Sequence, residues 1–76
     1  MTAYEKVTLA KERAMALAKG DAPKNSAERE SLENLKTEQV WRLQHGEEQV
    51  NPASFLETEL IFQYWRVNSG LAWQVK

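Results

Sequence analysis

Seventy-six residues with a formal net charge of −1 leave room for a single domain, 1–76, with a thin core. The lack of cysteine excludes disulfides and thiolate metal sites, and one histidine excludes a His-rich metal site. Hydrophobic content of 42% and charged content of 28% fit a folded globular chain better than a disordered one, and no apolar run approaches the length of a membrane span.

Residues 3–19 are predicted to form an amphipathic helix. Ala3, Val7, Ala10, Ala14 and Leu17 follow a 4-3-4-3 spacing that sets them on one stripe. Thr2 and Glu5 have the spacing of a capping box at its start, and Gly20 supplies the left-handed residue at its end. The N-terminal stretch, MTAYEKVTLAKERAM, has no apolar segment leading to a small-residue cleavage site, which predicts an intracellular, cytoplasmic protein.

Asp21 to Ser26 form a connector around Pro23. Asn25 or Ser26 caps a second helix running from about 26 to 44, with Leu32, Leu35, Val40 and Leu43 within a third of its circumference. Glu38 and Arg42 stand four apart with the acid first, and His45-Gly46 makes a helix ending. On such a helix Trp41 stands off the leucine stripe. The other reading of this end is a strand over 40–43, with Trp41 and Leu43 on one face.

Asn51-Pro52 opens a short third helix of about residues 52–58. From residue 59 the pattern changes. ELIFQYWRV is rich in strand-favouring side chains, Asn68-Ser69-Gly70 suits a three-residue hairpin loop, and LAWQVK alternates. That register sets Trp65 opposite Trp73 and Val67 opposite Leu71, on an apolar face, and leaves Phe62, Tyr64 and Arg66 on the other. The expected fold is therefore α+β: two main helices and a short third packed on a C-terminal β-hairpin.

No nucleophile motif, phosphate-binding glycine loop or metal-ligand spacing is present, which argues against an enzyme and implies no cofactor. His45 at a helix end reads as a cap or a solvent-exposed side chain. The element order matches a winged helix-turn-helix domain, with Lys6, Arg13, Lys19, Arg66 and Lys76 as candidate nucleic-acid contacts. However, NPASFLETE, the segment placed to enter the groove, carries two acids and no cation. Charge is uneven: residues 1–25 hold five basic and three acidic groups, and residues 26–50 three and six.

The favoured expectation is a small regulator or inhibitor that binds a larger protein or assembly, a profile common among phage and bacterial regulators. Its candidate contacts are Trp41, Phe62, Tyr64 and Arg66, since aromatic residues and arginine lead at interface hot spots. A small accessory subunit or a self-associating structural protein is a further alternative, and either a monomer or a homodimer fits.

Overall fold

The computed structural model describes residues 3–75, with side-chain placements for 4–64 and for Arg66. Three helices follow one another: α1 (Ala3–Ala18), α2 (Ser26–Gln44) and α3 (Pro52–Val75). Helix α3 packs against both others, whereas α1 and α2 touch mainly near the connector between them.

The ends of the first two helices follow local chemistry. At the end of α1, the Gly20 N–H donates to the Leu17 carbonyl at 3.0 Å and the Asp21 N–H to the Ala16 carbonyl at 3.0 Å. At the end of α2, Gly46 donates to Leu43 at 3.3 Å and Glu47 to Arg42 at 2.9 Å. Both are Schellman closures, and both need a residue in the left-handed region. Gly20 (φ 105) and Gly46 (φ 70) fill that position without a Cβ penalty. Asn25 caps α2, its Oδ1 accepting the Glu28 N–H at 2.9 Å. Asn51 does the same for α3 through the Ser54 N–H at 3.2 Å, with Pro52 in the first turn, where its missing N–H costs nothing. The predicted Thr2 cap lies outside the described residues.

The core is small. Ala10, Ala14 and Leu17 of α1 bury against Leu56 and Leu60 of α3, with Leu32, Leu35, Ile61 and Tyr64 packed around them. Three polar side chains, Glu28, Ser31 and Gln63, are as deeply buried as the core leucines.

The β-hairpin is not formed, and among the described residues there is no strand. The fold is all-α, and the third helix does not stop near residue 58 but runs on to Val75. Asn68-Ser69-Gly70, read as a hairpin loop and as a wing tip, lies inside α3. The reason is physical. Leu56, Leu60 and Gln63 follow a 4-3 spacing and bury one face of α3, so the helix is anchored before the strand-favouring residues begin. A lone two-stranded hairpin is marginal in water, while a helix satisfies its own backbone groups. One glycine inside a helix costs only about 1 kcal/mol relative to alanine.

The cross-strand register falls with the hairpin. Trp65, Val67, Leu71 and Trp73 all lie within α3, so no hairpin turn pairs Trp65 with Trp73 or Val67 with Leu71. Their side chains lie outside the described residues. The strand reading of residues 40–43 is likewise replaced by helix.

Candidate functional site

The two ends of α2 meet different surroundings. Near its start, Glu28 is only 2% exposed. Its carboxylate takes two bonds from one guanidinium: Arg13 Nε to Oε2 at 2.8 Å and Arg13 Nη2 to Oε1 at 2.7 Å. The Lys24 backbone N–H adds a third bond to Oε1 at 2.8 Å. Arg13 Nη1 also holds Asp21 Oδ2 at 2.8 Å, and Nη2 reaches the Ala22 carbonyl at 3.3 Å. One arginine of α1 thus gathers the connector and the first turn of α2.

These bonds shape the titration. Hydrogen bonding from Arg13 holds the Glu28 and Asp21 carboxyls below the usual carboxylate range, against the opposing pull of desolvation. The same bonds, Glu28 first and Asp21 second, hold the proton on Arg13 more firmly than usual. Tyr64 is half-buried beside this group. Desolvation, and then the Glu28 charge, push its hydroxyl up. Ser31, one turn along α2, is fully buried, and its Oγ has no hydrogen-bond partner among the described residues.

The far end of α2 is apolar and open. Val40 is 54% exposed, Trp41 47% and Leu43 74%. The leucine stripe therefore works as core only in its first half, at Leu32 and Leu35. Val40 and Leu43, expected to extend it, are on the surface. The Trp41 ring stacks on His45, with centroids 3.9 Å apart and planes at 18°. His45 Nδ1 lies 2.8 Å from the Trp41 carbonyl oxygen, which fixes the imidazole beneath the indole.

The connector behind Trp41 is held to α2. The Gln39 side-chain amide pairs with the Val50 peptide in both directions, Nε2 to the carbonyl at 2.9 Å and Oε1 from the N–H at 3.0 Å. Gln49 Nε2 returns a bond to the Gln39 carbonyl at 3.1 Å. Arg42 bonds Glu38 at 3.0 Å and the Glu48 carbonyl at 3.0 Å, and lies 3.6 Å from Glu47.

The other candidate contacts are not gathered as the hairpin placed them. Phe62 is exposed and Tyr64 packs against the core, since two residues on a helix are about 200° apart. Arg66 is on the surface and reaches Glu30 of α2 at 3.3 Å. Of the residues named for nucleic-acid contact, Arg13 is committed to Glu28 and Asp21, Arg66 leans on Glu30, Lys6 is half-buried and Lys19 is exposed. Lys76 lies outside the described residues.

The Arg13–Glu28 pair had no local signal, because fifteen residues separate its members. The one hint was Glu28 itself, three residues after Asn25. In the structure that carboxylate turns to Arg13 and the Lys24 N–H rather than back to the cap.

Among the described residues, no helix is long and apolar enough to cross a membrane, and no group of three or more His, Asp or Glu is placed to hold a metal ion. Compared with family models, curated proteins and solved structures, the chain gives no match in any of the three.

Proposed function

We propose that this chain is a non-enzymatic protein-binding module, a small regulator or inhibitor that docks on a larger protein. The observation that carries this reading is Trp41. It is a large aromatic, about half exposed, and it is held in one orientation by its stack on His45. An anchor ordered before binding loses less entropy on docking, and tryptophan leads among residues that dominate interface energies. Val40 and Leu43 add apolar surface on the same two turns. Leu43 stands about 200° round the helix from Trp41, so the three do not share one face, and scattered exposed apolar residues are ordinary; the reading rests on Trp41.

The test is Trp41→Ala, assayed against a partner captured by the wild-type chain. Partner affinity should fall at least tenfold, while the melting temperature moves by no more than about 4–8 °C, the equivalent of about 1 kcal/mol in a domain of this size. A large loss of stability with unchanged affinity assigns Trp41 to the fold instead. Sequence-specific duplex binding with a steep salt dependence would replace the proposal with a nucleic-acid reading.

A further inference from the structure

We infer that the docking surface is the outer face where α2 meets α3, and that its occupant is a basic protein segment carrying one or two apolar anchors. This rests on the protein-binding reading and gives it a place and a partner chemistry.

Two bonds fix how the helices abut. Asn34 Nδ2 donates to Glu59 Oε1 at 2.6 Å, and Arg66 Nη2 to Glu30 Oε2 at 3.3 Å. As the numbers rise along α2 they fall along α3, so the pair is antiparallel. On α2, Glu30, Asn34, Thr37 and Trp41 follow a 4-3-4 spacing; on α3, Phe55, Glu59, Phe62 and Arg66 follow the same one. Each stripe therefore runs along the flank that meets the other helix. The flank of α2 that meets α1 is a different one, marked by Glu28 on Arg13.

The register places Phe62 level with the stretch between Glu30 and Asn34, and Trp41 level with the start of α3. Phe62, Phe55 and Trp41 thus fall in an aromatic row about 15 Å long, with Phe62 58% and Trp41 47% exposed and Phe55 half-buried between them. That length matches about ten residues of a docked helix, or four to five extended.

Charge selects the occupant. Residues 26–66 carry eight carboxylates and four cations, and one of the eight, Glu28, is buried on Arg13. Arg42 is paired with Glu38 and Glu47, and Arg66 with Glu30, which leaves Glu33, Glu48, Glu57 and Glu59 against Arg29 and Lys36. On the face itself Glu59 meets, among the described residues, the Asn34 amide and no cation, and exposed Glu33 lies 4.0 Å from Lys36. An aromatic row edged by carboxylates favours a cationic segment and repels a phosphate backbone.

The test pans a displayed library of random dodecapeptides against the intact chain. Enriched peptides should be net positive with apolar anchors. They should weaken as salt rises, and lose at least tenfold in affinity on Trp41→Ala or Phe62→Ala variants shown to be folded by circular dichroism. Glu33→Lys, which alters charge at an exposed position, should weaken them several-fold. Acidic or neutral binders, or binders indifferent to these changes, overturn this inference and leave protein binding standing. A library with no binder counts against both. A dimer by light scattering that Trp41→Ala dissolves gives the face to a second copy and overturns the basic partner.

Discussion

The two ends of α2 invert the usual order of inside and outside. At its start a carboxylate and a hydroxyl, Glu28 and Ser31, are buried; at its end Val40, Trp41 and Leu43 are exposed. Position decides this rather than hydropathy. The start lies under α1, which delivers a guanidinium to meet the buried charge. The end lies beside its own connector, which Gln39 and Arg42 hold through polar groups and which leaves Val40, Trp41 and Leu43 exposed. A residue is buried when a neighbour reaches it, and a buried charge survives when that neighbour brings the opposite one.

Breaking the buried end should have the largest effect. Arg13→Ala leaves Glu28 without its counter-ion. Losing one partner of a buried pair costs 3–5 kcal/mol, and with Arg13 itself 12% exposed we expect about 3 kcal/mol in urea denaturation. For a chain of this length, total stability is roughly 4–11 kcal/mol. Replacing both partners with apolar residues, Arg13→Met with Glu28→Leu, should be milder than Arg13→Ala alone. If the double variant is the weaker of the two, the pair is not what holds this end.

The same end should make the fold acid-sensitive. The folded-state pKa values of Glu28 and Asp21 lie below their unfolded values, about 4.3 and 3.9, so the unfolded chain takes up those protons first. The stability they contribute is complete above the unfolded values and is lost as pH falls through the folded ones. Glu28→Gln should flatten the fall in urea midpoint between pH 5 and pH 3; an acid limb as steep as in the wild type would place the acid-sensitive group elsewhere.

The open end should respond less. Gln39→Ala removes both bonds to the Val50 peptide and should cost about 1–2 kcal/mol, with Val50 amide exchange speeding up accordingly. Leu43→Gln should stay within about 0.5 kcal/mol of the wild type. A larger loss would mean that Leu43 is covered in solution and would weaken the contrast between the two ends.

The first two helices were legible because their signals are local: the Asn25 cap, the glycines at 20 and 46, and the spacing of Ala10, Ala14 and Leu17. The third was misread because its signals conflict. Asn68-Ser69-Gly70 and the alternation in LAWQVK are honest turn and strand patterns. Beginning the strand at residue 59 also cut Leu60 off from Leu56, and a glutamine at position 63 hid the next step of the helical stripe. Buried Gln63 defeats any reading that expects core positions to be apolar. The candidate contacts suffered accordingly. Trp41 depended only on α2 being a helix, while Phe62 and Tyr64 were paired by a strand that does not form.

The Gln39 clamp also has a meaning in polymer terms. By tying residue 39 to residue 50, it leaves only Asn51 between the clamped loop and the first turn of α3, so the tether between α2 and α3 has almost no contour length. Among the described residues the longer tether is the one from Lys19 to Asn25, which joins α1 to α2 and which Arg13 holds at Asp21 and Ala22. If copies of this chain exchange an element, the connectivity makes α1 the arm that is exchanged, with Arg13 carried across to close on the Glu28 of its neighbour.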